Sequence, residues 1–532
     1  MREIKKLLSP SAVLAALLLS AAGAAEERQT LRIAGVEYET DGKTSEHALA
    51  KKARIDTDRT FSSVEELEDY LEVIRRRIES LRAFDTVALD YEEAPADERG
   101  SESDVFVRIY TEDSRHFVLL PYPKYSSSDG FGVKLKLKDT NFMGTLEDFS
   151  AEVSYGAKTN PDGSFDRNEL GAAVSHNHPF RLAALDALWL NDHAVTYSPG
   201  DESPAWKLRT GISLAYPLGR LALVNEFDQT FARYIDEDIE DHDGRTVLVE
   251  NETFFVERDR LSLPVTLART KRLGDVRVSP FVDFSFAWSP FSSGHEELLL
   301  KKELFGGVDI SFGRVDWVKN LRTGLSVRLG AKIGRDFTNR NAVREAKAEV
   351  RGFKAFIFEF DDGRSFEFAL NFDALAFCAS NTTECFGERL RGVYDKPYFA
   401  TRGFTDRKST VSSDGVIVSV DAPFKITRIH WGDLPSFQNV SWLRHLDMEI
   451  QAGPFASLAL FDNRAAGTTM ELQDGFFTMG GEVIVYPLRW KGIQLRASFG
   501  YDLSRVIPFF NKEWRSGEYP KHEISIGFGL HY

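Results

Sequence analysis

His176 and His178, in "SHNHPF" at 175 to 180, stand two residues apart, so in a strand both imidazoles share one face. Two such ligands could hold a metal ion, but no third histidine or carboxylate stands nearby, and metal sites are built from three or four ligands. Cys378 and Cys385, in "FCASNTTECFG", are the only cysteines. In an oxidising compartment they are expected to close a small-loop disulfide, with free thiols or a metal pair as the alternatives. The acidic run "DEDIEDHDG" at 236 to 244 lacks the oxygen-ligand spacing of a calcium loop and reads as solvated. No Gly-x-Ser-x-Gly elbow, phosphate-cradling glycine loop or His-Glu-x-x-His occurs, so the expectation is a non-enzyme with no catalytic residues, no metal and no cofactor. That leaves "ATRGF", where Arg402, Gly403 and Phe404 follow a long irregular segment. A guanidinium can make several directional hydrogen bonds. The glycine permits positive φ, and the aromatic can fill an apolar gap.

The chain around these residues has 532 positions, 42% hydrophobic and 28% charged, with 41 Phe and 16 Tyr against only 2 Cys and 5 Met. Aromatics in this number favour strands and membrane interfaces. A net charge of −15 argues against a nucleic-acid partner, because phosphate binding depends on Lys and Arg. Residues 1–25 read as a secretory signal peptide: Arg2, Lys5 and Lys6, an apolar stretch from Ala12 to Leu19, then small residues with cleavage near Ala24 or Ala25. That apolar run is too short for a spanning helix, which needs ~20 residues, and no other uncharged run matches it.

Residues 29–113 read as a small α+β domain of order β-α-α-β-β. "FSSVEELEDYLEVIRRRIESLRAF" repeats apolar residues at Val64, Leu67, Leu71, Ile74, Ile78 and Leu81, one stripe along a helix. Ser62 with Glu65 is its expected capping box. From residue 115 to 532 no amphipathic helix appears, and period-two segments follow one another. Candidate strands are 116–126, 131–141, 146–157, 168–178, 184–196, 205–216, 220–235, 259–270, 277–290, 303–316, 322–336, 415–424, 446–460, 476–487, 493–503 and 522–532. Sixteen is an even number, as transmembrane barrels require, and the links alternate between short turns and long charged loops. The longest expected loop runs from 337 to 414. The 425–445 link breaks the alternation. In the last strand Ile524, Ile526, Phe528, Leu530 and Tyr532 share one face, an aromatic-ended pattern that resembles the C-terminal signal of outer-membrane barrels. The fold class expected is therefore mainly β: a 16-stranded transmembrane β-barrel preceded by one small α+β domain.

A signal peptide, a domain of this order, sixteen strands and Arg402-Gly403-Phe404 in the long loop after strand eleven together resemble the BamA/TamA superfamily of outer-membrane insertases and translocators. "DTNFMGT" at 139 to 145 is similar to that family's turn closing strand two, and "SHNHPF" is a further local match. The resemblance makes residues 29–113 a POTRA domain in the periplasm, whose sheet edges could take an incoming strand. It makes 337–414 the sixth outer loop, with its Arg402-Gly403-Phe404 tip folded into the lumen. The family's inward Phe-x-Asp-x-Gly on strand thirteen falls on Phe455, Ser457 and Ala459, so the aspartate is replaced, and Ser457 or Asp502 becomes the implied acceptor for Arg402. The function implied is an assembly factor that receives unfolded substrates in the periplasm and inserts β-barrel proteins into the outer membrane. Its implied partners are membrane lipid, unfolded outer-membrane or secreted proteins, and periplasmic or lipoprotein accessory subunits. The alternatives are a translocator for one dedicated partner protein and a surface adhesin or non-catalytic barrel. The family usually carries more POTRA domains than the one visible here.

Overall fold

The computed structural model describes residues 30–528 apart from 58, 95–101, 127–129, 160–164, 202, 220, 234–236, 241–245, 250–252, 271–273, 290–301, 339, 362–363, 381–413, 438–439, 441–445, 464–466 and 512–521. The expected signal peptide lies outside them. None of the described helices is long and apolar enough to cross a membrane.

The N-terminal domain runs β1 (Thr30–Asp41), α1 (Glu46–Ala53), β2 (Thr60–Phe61), α2 (Val64–Glu79), β3 (Phe84–Glu93) and β4 (Glu102–Asp113). Its sheet order is β2-β1-β4-β3, with β1 parallel to β4. The stripe read from the sequence is what α2 buries: Leu67, Leu71, Ile74 and Ile78 pack on Leu31, Ile33, Val105, Val107 and Ile109. Each such side chain contributes about 1.5–3 kcal/mol. Val64, counted in the stripe, is instead exposed. The capping box is shifted by one residue from the expected Ser62 and Glu65: the N-cap is Ser63, whose hydroxyl accepts from Glu66 N at 3.2 Å, while the Glu66 carboxylate accepts from Ser62 N at 3.0 Å.

On α2, Arg75 and Arg76 each donate to Glu72 at 2.7 Å, and the Arg75 bond above all holds the Glu72 pKa down at about 2. A depressed carboxylate stabilises the fold above its ordinary range, near 4.3, and that contribution is lost as pH falls toward 2. We expect a carboxyl titration midpoint near 2 by NMR and an acid-dependent loss of α2 helicity that Glu72→Gln lacks. A midpoint at the ordinary value would refute the pairing.

The rest of the chain forms one closed antiparallel sheet of twenty-one strands. In chain order these begin with β5 (Phe117–Ser126), β6 (Gly130–Asp139), β7 (Phe149–Thr159), β8 (Phe165–Leu182), β9 (Leu185–Tyr197), β10 (Ala205–Leu218) and β11 (Leu221–Arg233). A separate hairpin, β12 (Glu237–Glu240) and β13 (Thr246–Val249), stands apart from the sheet. Then come β14 (Thr253–Ser262), β15 (Val265–Thr270), β16 (Gly274–Trp288), β17 (Lys302–Val318), β18 (Leu321–Asp336), β19 (Asn341–Glu359) and β20 (Ser365–Ser380). The sheet ends with β21 (Asp414–Asp421), β22 (Phe424–Ile429), β23 (Met448–Asn463), β24 (Thr468–Thr469), β25 (Phe476–Pro487), β26 (Leu495–Asp502) and β27 (His522–Phe528). β14 with β15, and β21 with β22, are single staves interrupted at Pro264 and Pro423, which have no N–H for the ladder. Because β24 is a two-residue flap on β23, the barrel has eighteen staves among the described residues.

Eighteen corrects the expected sixteen. The additional staves are β19 and β20, which lie inside the span 337–414 expected to be one loop. Arg402 lies within 381–413, outside the described residues and between β20 and β21. The count remains even, as closure of an antiparallel barrel demands.

Period-two alternation sets which wall each residue joins. On β6, Phe131, Val133 and Leu135 are exposed outward, while Lys134 and Lys136 turn inward onto Glu152. On β20, Leu370 and Phe372 point out and Asn371 and Asp373 point in. The inner wall is polar and paired: Arg209 to Asp228 at 2.9 Å, Lys332 to Glu345 at 2.6 Å, Arg351 to Asp373 at 3.1 Å, Arg428 to Glu449 at 2.7 Å. An apolar outer wall around a charged, water-accepting lumen is a barrel built for a bilayer.

Candidate functional site

Three places combine unusual chemistry with a defined position: a row of buried polar groups inside the barrel, the seam that closes it, and the turn joining it to the N-terminal domain.

The inner row follows from register alone. Asp502 on β26 lies opposite Thr478 on β25, which lies opposite Ser457 on β23, then Ser419 on β21, Asp373 on β20 and Arg351 on β19. Asp502, Thr478, Ser457, Ser419 and Asp373 are all buried. Ser457 and Ser419 share a hydrogen bond of 2.8 Å, and Asp502 accepts from Ser504 and from Arg505 at 3.2 Å. Phe455 faces the same side and is buried, its ring set against Gly480, where a Cβ would come within 2.8 Å of it. Thus Phe455, Ser457 and Asp502, chosen on sequence grounds, meet on one wall. Arg402, Gly403, Phe404 and Cys385 lie outside the described residues, as do Leu530 and Tyr532. Cys378 is an exposed free thiol near the end of β20, the alternative to the expected disulfide, and Ile526 is exposed on the outer wall with Ile524. Phe528 ends β27.

At the seam β27 meets β5 through only two registered pairs among the described residues, Ser525 with Ser126 and Ile526 with Tyr125. Neighbouring interfaces register seven pairs (β26 with β27) and ten (β5 with β6). The sequence of β5, "FVLLPYPKYS", contains two residues without a backbone N–H. His116 C=O accepts from Thr140 N at 3.0 Å, so even-numbered residues of this strand bond toward β6. Odd-numbered ones point the other way, as the Phe117 carbonyl does in accepting from Trp490 at 3.0 Å. Pro121 and Pro123 are therefore on the β27 side, where each withdraws one N–H from the closing ladder. Sequence reading treated β5 as an ordinary strand; the two prolines were the available signal.

The β6–β7 turn, "DTNFMGT" in the sequence, reaches into the N-terminal domain. Asn141 is buried; its amide donates to Thr44 Oγ1 at 2.7 Å and its carbonyl accepts from Leu146 N at 2.9 Å. Leu146 completes the domain core, and Gly144 C=O accepts from Ser45 N, at the N-cap of α1, at 2.9 Å. Gly144 has φ +74, and a Cβ there would stand 2.0 Å from the Lys43 carbonyl oxygen. A second contact comes from Arg82. Its guanidinium lies 4.2 Å from the Trp317 ring, donates to Asn320 Oδ1 at 2.9 Å and donates to the Lys491 carbonyl. Burial lowers its pKa to about 10, which leaves it cationic at neutral pH and suited to the aromatic face. Lys491 reciprocates on Phe84 C=O at 2.9 Å. Arg269 and Asp56 add an ion pair at 2.9 Å. The domain is fixed on one rim of the barrel.

His176 and His178 alternate with inward residues onto the outer wall, so they do not face the lumen. Among the described residues no group of three or more His, Cys, Asp or Glu converges as a metal site.

No family model and no curated protein matches the sequence. Among solved structures the chain is similar to CdiB from Acinetobacter baumannii, at 12% identity over 94% of this chain and 74% of that one, TM-score 0.46. CdiB from Escherichia coli gives 11%, 94%, 77% and 0.45, and BamA from Haemophilus ducreyi lacking POTRA domains 1-3 gives 10%, 94%, 84% and 0.35. At this identity and superposition the function has to be argued from the chain's own residues.

Proposed function

We propose that this protein sits in the bacterial outer membrane with its N-terminal domain in the periplasm, takes unfolded polypeptide there, and assembles it into the membrane at the β27–β5 seam. The carrying observation is the seam's depleted edge. A strand edge left bare in hydrocarbon costs several kcal/mol per unsatisfied group, so a closing interface short of donors is the one most readily exchanged for another strand. Pro121 and Pro123 impoverish β5 alone; β27 has no proline in "HEISIGF" and keeps its full set of backbone donors. An incoming strand therefore adds to β27 first. The energy comes from burial of the substrate in the bilayer, not from a nucleotide. β3, an edge strand of its sheet among the described residues, offers the N-terminal domain an edge for reception.

The polar row from Asp502 to Asp373 is the receiving wall for the Arg402-Gly403-Phe404 tip. Arg402→Ala is expected to lower the abundance and heat-modifiability of the folded barrel; no change in either would sink the clamp. The function itself is tested by depleting the protein and taking an inventory of outer-membrane proteins. Broad loss of barrel proteins is expected. Loss of one secreted protein alone would replace this reading with a dedicated translocator, and an unchanged inventory would refute both.

A further inference from the structure

On the outer wall, from β19 across to β25, small side chains open a groove of about 600 Å³, within the ~300–1,000 Å³ of ligand sites. Register sets one level of it: Gly352 on β19 lies opposite Phe372 on β20, then Val420 on β21, Ala456 on β23 and Met479 on β25. Phe372, Val420 and Met479 are exposed, so this row is outward. Gly352 and Ala456, with Ala422 nearer the rim, are its low points, and the large side chains are its sides. The dip has a backbone cause. Pro423 interrupts its stave, and there Gly453 comes so close that a Cβ would stand 2.3 Å from the Ala422 carbonyl oxygen. Lys354 edges the groove on the same outward face as Gly352, toward the rim where β19 ends. Among the described residues its ammonium meets no carboxylate; it lies 5.9 Å from the Phe356 ring. Phe356 and Phe358 stack on Phe368 at 4.7 and 6.2 Å, and Phe366 joins at 5.5 Å, an aromatic cluster where β19 gives way to β20. Aromatics at a barrel rim mark the level of lipid headgroups. The same side of the antiparallel sheet carries Asn320, which Arg82 holds, so this is the rim of the N-terminal domain.

A lysine on a wall that meets hydrocarbon is unfavourable unless its ammonium reaches the interface or an anion. We infer that the groove binds an anionic glycerophospholipid of the leaflet on the domain's side, with one acyl chain over Gly352 and Ala456 and the phosphate on Lys354. Position and charge choose this occupant. The groove opens to the bilayer, its deep end is apolar, and its cation stands at the end nearer the headgroups, which is the polarity of a lipid molecule in that leaflet. A second copy of the chain could cover the apolar part with its own apolar wall, but that wall would bring Lys354 no anion. Lipopolysaccharide also carries phosphate, but it belongs to the opposite leaflet. The inference rests on the wall being membrane-embedded with the domain in the periplasm, not on what the barrel assembles.

The test is native mass spectrometry of the full chain, purified in mild detergent and offered equal amounts of phosphatidylglycerol and phosphatidylethanolamine. Retention of phosphatidylglycerol over phosphatidylethanolamine is expected. Lys354→Gln should cut that preference about fivefold, the attraction one lysine adds at an anionic lipid surface. Gly352→Leu with Ala456→Leu fills the groove and should lower retention of either lipid at least about tenfold, as several methylenes lose their burial. A Cβ at Gly352 meets nothing within 4 Å, so the backbone accepts the change, and heat-modifiability reports the folded barrel. Ala497→Leu, exposed on the outer wall beside Phe499, is the control and should change nothing. No retained lipid, equal retention of both headgroups, lipopolysaccharide or a second protein chain in the lipid's place, or undiminished retention in the folded double variant overturns the inference. If the double variant does not fold, the Lys354→Gln result decides alone. None of these results bears on the β27–β5 seam, so the lipid site and the proposed function fail separately.

Discussion

Oxidising a cysteine pair at Ser126 and Ser525 should stop assembly of new outer-membrane barrels, and a reductant should restart it. The two residues are opposed by register. Because odd-numbered residues of β5 direct their hydrogen bonds at β27, Ser126 and Ser525 form a non-hydrogen-bonded pair, with Cα atoms ~4.5 Å apart. That lies inside the ~4.4–6.8 Å range a disulfide accepts. In a Cys378→Ser, Cys385→Ser background the crosslinked and free forms are read on a gel, and single-cysteine variants serve as controls. Full crosslinking with an unchanged outer-membrane inventory would remove the seam from the mechanism. Continued export of one secreted protein through a locked barrel would point to the lumen instead. The converse variant, Pro121→Val with Pro123→Val, returns two N–H donors to the edge. At about 0.5–1.5 kcal/mol net per hydrogen bond, it should raise the temperature at which the folded barrel loses its compact gel mobility and slow insertion.

How much of this was legible depends on which wall the sequence pattern described. Strands whose outward residues are large read cleanly: "GFGVKLKLKD" alternates Phe131, Val133 and Leu135 with lysines, and β6 is found where expected. β19 does not, because its outward positions include Ala346, Ala348 and Gly352, while Glu345, Lys347, Glu349 and Arg351 line the lumen. Small residues against lipid and charges against water give the composition of a loop. β20 is different: Phe366, Phe368, Leu370 and Phe372 alternate openly. That period is a strand's, although it stands inside the span expected as one long loop. For the site, the inward parity of Phe455, Ser457 and Asp502 was readable, but their common row was not. Register between strands distant in sequence is set by shear around the barrel, which no local pattern encodes. The effect of Pro121 and Pro123 also needed register, since a proline matters to a seam only if its missing N–H points there.

Replacing Gly144 by valine should detach the N-terminal domain while leaving the barrel folded. A Cβ at Gly144 would stand 2.0 Å from the Lys43 carbonyl oxygen, and φ +74 is hostile to a β-branched residue, so the turn must move. Once it moves, Ser45 N loses its acceptor and Leu146 leaves the domain core. Asn141→Leu reaches the same state by another route, stranding Leu146 N at about 1–3 kcal/mol for a buried group left unpaired. Arg82→Ala removes the opposite contact at Trp317 and Asn320. Neither the turn nor Arg82 contributes to the ladder of the staves, so heat-modifiability should persist, while hydrogen exchange in α1 and protease cleavage after β4 both accelerate. The functional result then separates two ways the domain could work. If it delivers substrate from a fixed position on the rim, Gly144→Val should lose barrel assembly nearly as completely as deletion of residues 30–113. If it captures substrate on a loose tether, the variant should assemble barrels normally. The density of contacts here, a buried asparagine, a shared core residue and a stacked arginine on one rim, favours the first result.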